Sequence, residues 1–251
     1  MQILIPLYIL VFLYGSVIGS FVNVCIYRIP LGEDIVKTSS HCMNCGHTLK
    51  WYDLFPVFSF LVLGGKCRYC KSKLSIQYPV IEVVNGILYC LIVGVKGVNM
   101  NSIIYCLFAS ALLTLSVIDF RTMEIPVGIN YFILILGLIH LGLNYQKFWD
   151  YSLGFFSVSA GLFVLYQITK GKGIGGGDIK LMAVSGLLLG GKANILAFLL
   201  ACILGSVIHS LRMKMTKADH VLALGPYLAA GIVISLLWGE KMILWYMNLF
   251  F

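Results

Sequence analysis

Long apolar runs recur along the whole chain, and they limit its fold more than any other feature. A sequence in which 60% of the residues are hydrophobic and only 11% are charged lacks the polar residues that coat a soluble domain. Runs of this length are typical of helices that cross a lipid bilayer. The sequence therefore predicts an all-α, polytopic membrane protein with about eight transmembrane helices, at residues 3–25, 79–98, 102–118, 125–143, 151–169, 179–190, 193–210 and 221–238.

The first run is interpreted as a transmembrane helix and not as a cleavable signal peptide. Residues 1–25 contain no basic leading region, and no small-residue cleavage site follows the apolar run. The longest polar connection, residues 26–78, includes the apolar piece Leu54–Gly65, which is too short to cross the bilayer and is predicted to be interfacial or re-entrant. We therefore divide the chain into the first transmembrane helix (1–25), a cytosolic loop (26–78) and a membrane core (79–251).

The basic residues predict the orientation of the chain. Its net charge is +8, and most of its 18 lysines and arginines fall on one side of the membrane if the N-terminus lies outside. Because lysine and arginine are enriched in cytoplasmic loops, this distribution places the loop 26–78 in the cytosol. The positive charge is thereby explained as a topology signal, and no nucleic-acid partner is predicted.

Four cysteines in the predicted cytosolic loop form a double CxxC pattern. Two closely spaced pairs, separated by a gap slightly wider than usual, offer four thiolates to a tetrahedral zinc ion. Redox chemistry and simple structural thiols are the alternatives, whereas the reducing cytosol disfavours disulfides. A four-cysteine shell is closed, so the zinc would be structural, with His41 and His47 as possible substitute ligands. The predicted ligands are Cys42, Cys45, Cys67 and Cys70.

Two aspartates lie at the ends of predicted spans, where a charge is costly. Asp119 ends the third span, and the ordinary interpretation is a helix-end residue that meets water or Arg121. Asp178 precedes the sixth span, and the ordinary interpretation is a helix N-cap. A cap does not require the preceding glycines, however. Gly175 and Gly177 leave the backbone bare, so an extended substrate strand could approach closely.

The predicted topology brings the two aspartates to the same depth. The third span runs inward and the sixth runs outward, so both carboxylates face the cytosolic side. Neighbouring carboxylates share a proton, because two like charges at close range do not both ionise easily. One of them would take a proton from water and the other would donate to a scissile carbonyl, which suits peptide hydrolysis. The pair titrates as a unit, so the initial base is not assigned.

Six motifs are spread over nearly the whole chain: Gly19–Pro30, the double CxxC loop, Gln77–Glu82, Asp119–Pro126, Gly175–Lys180 and Leu224–Pro226. Together they resemble the motifs of the prepilin peptidases, membrane aspartyl proteases of the GxGD type. The resemblance implies that Asp119 and Asp178 are catalytic and that the chain is a multi-pass protein of the bacterial inner membrane. It also implies cytosolic cleavage of short basic leaders, after a glycine, from type IV prepilins or pseudopilins. Members with the cysteine loop usually also methylate the new N-terminus with S-adenosylmethionine. One departure is Leu54-Phe-Pro56, where many members have Asn-Ile-Pro.

Two further residues are candidates for positioning the substrate. Glu82 shares a helix face with Asn85, and it could bind the substrate amine or the methyl donor, or simply lie at a water-exposed helix start. Lys180 could pair with a carboxylate or extend to the membrane interface.

Two other classes of function remain as alternatives. An ion-coupled transporter would use intramembrane acids, although these should lie nearer the midplane than Asp119 and Asp178. A non-catalytic assembly factor would need the cysteines and not the aspartates.

Overall fold

A computed structural model describes residues 4–171, 173–215 and 222–250. Within these ranges no strand forms, and the isolated bridges His41–Thr48 and Lys66–Lys73 are too short to count as one. The prediction of an all-α chain is therefore confirmed. The helices are α1 (Leu4–Leu31), α2 (Phe58–Val62), α3 (Gln77–Lys96), α4 (Met100–Thr122), α5 (Val127–Leu143), α6 (Phe148–Ser157), α7 (Ser159–Thr169), α8 (Gly176–Leu189), α9 (Gly191–Met215) and α10 (Gly225–Phe250).

Some predictions fall outside the described residues. They concern Lys172 and Lys217, two basic residues assigned to the cytosol, and the first residues of the predicted spans 3–25 and 221–238.

The helices are long and apolar enough to make this a multi-pass membrane protein. Six stretches of the described residues qualify as candidate spans, and α5 is a shorter apolar helix. The predicted span 151–169 is divided between α6 and α7, where the Ser157 and Ser159 hydroxyls donate to the carbonyls of Gly154 and Phe155. Serine hydroxyls that bond back to the preceding turn are known to bend helices. The candidate spans are Ile5–Leu31, Gln77–Lys96, Met100–Thr122, Tyr145–Thr169, Gly191–Lys214 and Gly225–Leu249.

The chain forms two compact units, Met1–Thr114 and Leu115–Phe251. In the first unit, α1 packs on α3 through small residues. A Cβ added to Gly15 would lie 2.8 Å from the Cα of Gly86, so the two backbones approach closely only because both residues are glycine. The Asn85 amide donates to the Gly15 carbonyl over 2.7 Å, and the Ser110 hydroxyl donates to Asn85 over 2.9 Å. These bonds join α1, α3 and α4 where water cannot serve as a partner.

In the second unit, α8 lies at the centre. It packs against α5, α6, α7 and α9, and its residues from Leu181 to Leu188 are all buried. The α6–α8 contact is a direct approach of Gly154 and Gly186, since a Cβ on either would overlap the other's carbonyl oxygen. The Asn194 amide of α9 donates to the carbonyls of Met182 (3.1 Å) and Gly154 (3.0 Å). This packing holds α8, and therefore the residues at its N-terminus, in one position.

Candidate active site

Asp119 lies in the last turn of α4, and its side chain is buried. Only 5% of the residue is exposed, so it is not the solvated helix-end residue of the ordinary interpretation. The backbone N–H of Gly225 donates to Asp119 Oδ2 over 2.9 Å. Gly225 is the first residue of α10, and the positive end of a helix dipole favours a negative charge. A Cβ at Gly225 would lie 2.7 Å from the same oxygen, so glycine allows this approach.

Asp178 lies in the first turn of α8, outside the six candidate spans. The N-cap of this helix is Gly175, so the interpretation of Asp178 as the N-cap is wrong. Burial, and after it the negative charge of Asp119, raises the pKa of Asp178 to about 6, whereas a hydrogen bond from the Gly175 backbone opposes the shift. The carboxyl group of Asp178 therefore holds a proton more readily than an exposed aspartate does, as expected for a member of an interacting pair.

The glycines before Asp178 have distinct packing environments. A Cβ at Gly177 would lie 2.9 Å from the Cβ of Ile125, in the segment between α4 and α5. A Cβ at Gly175 would lie 2.9 Å from Asp178 Oδ2, whereas one at Gly176 would meet nothing within 4 Å. Two of the glycines thus permit close packing of this turn. We call Asp119, Ile125, Gly177, Asp178 and Gly225 the aspartate site.

The two other predicted positioning residues, Lys180 and Glu82, have different surroundings. Lys180 is exposed on α8, and within the described ranges it forms no ion pair with Asp119 or Asp178. Glu82 lies in the first unit and is buried, so it is not the water-exposed helix start of the alternative. Its Oε2 accepts the backbone N–H of Val57 over 2.7 Å. Because Val57 has φ +60°, this bond helps to hold an unfavourable backbone conformation in the segment before α2.

Two residues of the second unit were not predicted from the sequence. Gly225 is part of the Gly-Pro motif, and proline near the first position of a helix is a common start signal that could have indicated its role. Asn130 is a buried side-chain amide in α5, which is apolar over most of its length, and a polar residue in such a run could likewise have drawn attention to it.

The four predicted metal ligands converge in the first unit. Their sulfur atoms all lie within 4.8 Å of one another, and the Cys42 and Cys70 sulfurs are 3.8 Å apart. A zinc ion with Zn–S bonds of about 2.3 Å places its ligands roughly 3.8 Å apart, so the thiols fit this metal. His41 and His47 are not members of the cluster. The His47 ring instead packs on Tyr69, with the ring centroids 3.6 Å apart.

The two CxxC segments have the same backbone hydrogen bonds. The Cys42 N–H donates to the carbonyl of His47, and the Cys67 N–H donates to that of Ser72. In each segment the fourth residue after the first cysteine, Gly46 or Lys71, has a positive φ. Its backbone N–H donates to the carbonyl of that cysteine. We call residues 40–49 and 65–74 the cysteine module. It is a structural repeat in which each half supplies two thiols.

Polar groups beside Cys70 favour the ionised form of its thiol. The Ser72 hydroxyl lies 3.1 Å from Cys70 Sγ, and the Asn44 amide donates to the same sulfur over 3.7 Å. Hydrogen bonds, chiefly from Ser72, lower the pKa of the Cys70 thiol to about 6. Zinc binds thiolates, so these donors prepare the ligand that the metal requires.

Comparison with protein families gives two adjacent matches. Residues 13–95 match the Bacterial Peptidase A24 N-terminal domain, and residues 106–210 match the Type IV leader peptidase family. The first match contains the cysteine module, and the second contains Asp119 and Asp178. No solved structure gave a significant match.

Curated proteins named "Prepilin leader peptidase/N-methyltransferase" are similar over most of the chain. The protein of Bacillus subtilis (strain 168) is 33% identical, with 96% of this chain and 98% of the relative covered. The protein of Pseudomonas aeruginosa is 30% identical over 91% of this chain and 89% of the relative. The protein of Pseudomonas putida is 29% identical over 90% and 89%, respectively.

Proposed function

Because the chain belongs to the type IV leader peptidase family, we propose that it is a membrane aspartyl endopeptidase that processes prepilins or pseudopilins. The observation that carries this proposal is the convergence of the segments that hold Asp119 and Asp178, fifty-nine positions apart in sequence. Ile125, six residues after Asp119, packs against Gly177, the neighbour of Asp178. The charge of Asp119 accordingly contributes to the raised pKa of Asp178. Both carboxylates accept hydrogen bonds from backbone groups, which do not titrate. Proton exchange with a substrate is therefore left to the two acids themselves.

The proposed reaction uses one proton shared by the two carboxylates. The ionised carboxylate removes a proton from a water molecule, and that water attacks the scissile carbonyl carbon. The protonated carboxyl group donates to the carbonyl oxygen, which gives a tetrahedral intermediate. The C–N bond then breaks as the proton taken from water passes to the leaving amine, and a hydroxyl group of the intermediate returns a proton to the carboxylate that had donated one. The N–H of Gly225 keeps Asp119 oriented during these steps. The first base is either aspartate, since the pair titrates as a unit.

The proposed substrate is supported by the family, and the proposed orientation by the distribution of basic residues. The name of the similar proteins, prepilin leader peptidase, supports a prepilin with an N-terminal leader as the substrate. We propose that this leader is short and basic and that it is cut after a glycine. The excess of lysine and arginine in one set of loops supports a cytosolic site, with the N-terminus outside, in the inner membrane of a bacterium. We retain Gly175, Gly177 and Lys180 as substrate-positioning residues, and the division into 1–25, 26–78 and 79–251.

We also propose that the chain methylates the new N-terminus, with S-adenosylmethionine as the methyl donor. The word N-methyltransferase in the name of the similar proteins supports this second activity. The described residues contain no strand that could begin a nucleotide-binding βαβ unit, and the Glu82 carboxylate is already bonded to Val57. We retain Glu82 as a candidate for binding the substrate amine or the methyl donor, because a carboxylate can accept further hydrogen bonds.

The cysteine module is proposed to hold one structural zinc ion. Four cysteine ligands fill a tetrahedral shell, so the metal would have no open position for water or substrate. Its contribution would be to fold a loop that has few buried apolar residues of its own.

The proposal is tested by co-expression with a candidate prepilin and measurement of the intact pilin mass. We expect loss of the leader with the native chain, and an added methyl group if the second activity is present. Asp119→Asn and Asp178→Asn should each leave the leader in place, at unchanged membrane content. Glu124→Gln is the matched control, because Glu124 is an exposed acid beside the same site.

Other outcomes would support a different function. Cleavage that persists in either aspartate variant would contradict the two-carboxylate mechanism. If no pilin or pseudopilin is cleaved, the transporter and the non-catalytic assembly factor become the better hypotheses. These two differ in whether the aspartates or the cysteines are needed in the cell.

A further inference from the structure

Asn130 is a buried amide without a hydrogen-bond partner. Only 4% of the residue is exposed, and neither its nitrogen nor its oxygen has a partner among the described residues. An amide buried in this way costs free energy, since it has lost its bonds to water and gained none. Such a group is retained more readily if it has a partner in a functional complex.

Two contacts establish how α5 lies on α8. At the start of both helices, a Cβ on Gly177 would lie 2.9 Å from the Cβ of Ile125, two residues before α5. Further along, a Cβ on Gly137 would lie 2.9 Å from the Leu187 Cβ and 3.5 Å from the Val184 carbonyl oxygen. From the first contact to the second, the residue numbers increase along both helices, so the two helices run in the same direction.

This register places Asn130 beside the turn that carries Asp178. Asn130 precedes Gly137 by seven residues, which is about two turns, so the two residues lie on the same side of α5. Moving two turns back along α8 from Val184 and Leu187 leads to Gly177 and Lys180. Asp178 lies within that turn, and Asn130 is therefore at the depth of the aspartate site.

We propose that the Asn130 amide hydrogen-bonds the main chain of the substrate peptide next to the bond that is cut; this inference rests on the proposed peptidase function. A primary amide offers a donor and an acceptor side by side, and a peptide group offers the complementary pair. The amide would hold an extended substrate against the carboxylates. It binds substrate and takes no part in proton transfer.

The buried hydroxyl of Ser185 supplies a contrast. It also has no partner among the described residues, and it lies seven residues beyond Asp178 on α8, about two turns away from the aspartate site. A substrate contact is therefore expected for Asn130 and not for Ser185. Ser185→Ala is the matched control, because it removes an unpartnered polar atom from the same unit without reaching the site.

The experiment measures kcat and KM for cleavage of a synthetic prepilin by the purified full chain in lipid nanodiscs. Asn130→Leu keeps the approximate volume and removes both polar atoms. We expect kcat/KM to fall about 10- to 100-fold, which corresponds to the loss of one or two hydrogen bonds made to the substrate. The thermal midpoint should stay the same or rise, because an unpaired buried amide is replaced by an apolar group. Ser185→Ala should retain native kcat/KM.

A second substrate tests whether the main chain is the partner. Replacing one peptide N–H beside the scissile bond with an ester oxygen should lower kcat/KM for the native chain but have little further effect in Asn130→Leu. Native kcat/KM in Asn130→Leu, or equal ester effects in the two proteins, would overturn the inference while leaving the peptidase intact. A lower thermal midpoint that accounts for the lost activity would assign Asn130 a structural role and overturn it as well. Failure of the native chain to cleave any prepilin would instead overturn the proposed function, and this inference with it.

Discussion

The cysteine module and the aspartate site show two ways of assembling a functional centre. The cysteine module brings together two short segments with the same backbone hydrogen bonds, and each segment supplies two neighbouring thiols. The aspartate site takes its groups from the end of α4, the segment before α5, and the starts of α8 and α10. The first centre is local in sequence, whereas the second depends on the packing of several helices.

The difference has a chemical counterpart. Zinc binding requires four thiolates in a closed shell, and two CxxC turns provide that geometry without a large core. A pair of acids must instead be partly removed from water and held near each other, so that one of them retains a proton. The interior of a helical unit provides such an environment, and its surface does not. Substitutions in the two centres should therefore have separable effects on cleavage and on metal content.

Removal of either carboxylate should have the largest effect on cleavage. Asp119→Asn and Asp178→Asn should each lower kcat by about 10²- to 10⁴-fold, because general acid–base catalysis contributes this much. The rate is measured on a synthetic prepilin, with the zinc content determined on the same samples. Unchanged zinc content would show that the cysteine module is independent of the aspartates, and a parallel loss of zinc would contradict this separation.

Disturbing the helix start beside Asp119 should have the next largest effect. In Gly225→Ala the new Cβ would lie 2.7 Å from Asp119 Oδ2, so the carboxylate or α10 must move. A displaced catalytic group can cost about 100-fold in rate, and we expect a loss of about 10- to 100-fold in kcat. Gly128→Ala is the control, since a Cβ there would meet nothing within 4 Å. Equal rates for the two variants would contradict the role of Gly225.

The glycines before Asp178 should differ from one another. Gly177→Ala would press against Ile125, and we expect kcat/KM to fall roughly fivefold as the turn shifts. Gly176→Ala points into open space, so it should leave the rate unchanged and, as an alanine in a helix, stabilise the chain by up to about 1 kcal/mol. Both variants are compared with the native chain for cleavage rate and thermal midpoint. If Gly176→Ala is instead the more harmful variant, bare backbone at that position is needed by the substrate.

Among the changes expected to affect cleavage, loss of the metal should have the smallest effect. The native chain should contain about one zinc ion, and Cys42→Ser combined with Cys67→Ser should contain none by elemental analysis. We expect the loop to become sensitive to proteases while kcat/KM changes by no more than roughly threefold, because a closed four-cysteine shell takes no part in the chemistry. A loss of activity as large as that of Asp178→Asn would show that the two centres are coupled.

The local features of this protein were predictable from its sequence. Composition alone indicated a helical membrane protein. In lipid, the backbone groups of a long apolar run must hydrogen-bond to one another, and a helix satisfies them within the run itself. The CxxC spacing indicated which four thiols converge in the cysteine module, since each pair needs only one turn of chain to form. Asp119 and Asp178 were conspicuous because charges are rare at such positions.

Only the tertiary structure decided which groups surround the aspartates. The Gly225 N–H and the Ile125 side chain reach that site from a separate helix and a separate connection, and contacts between distant segments have no local signature in sequence. The start of α8 at Gly175 likewise reassigned Asp178 from the N-cap to the first turn. Residue type and spacing thus determined which chemistry was available, and helix packing decided which groups came together, because burial and hydrogen bonding between elements exist only once the chain has folded.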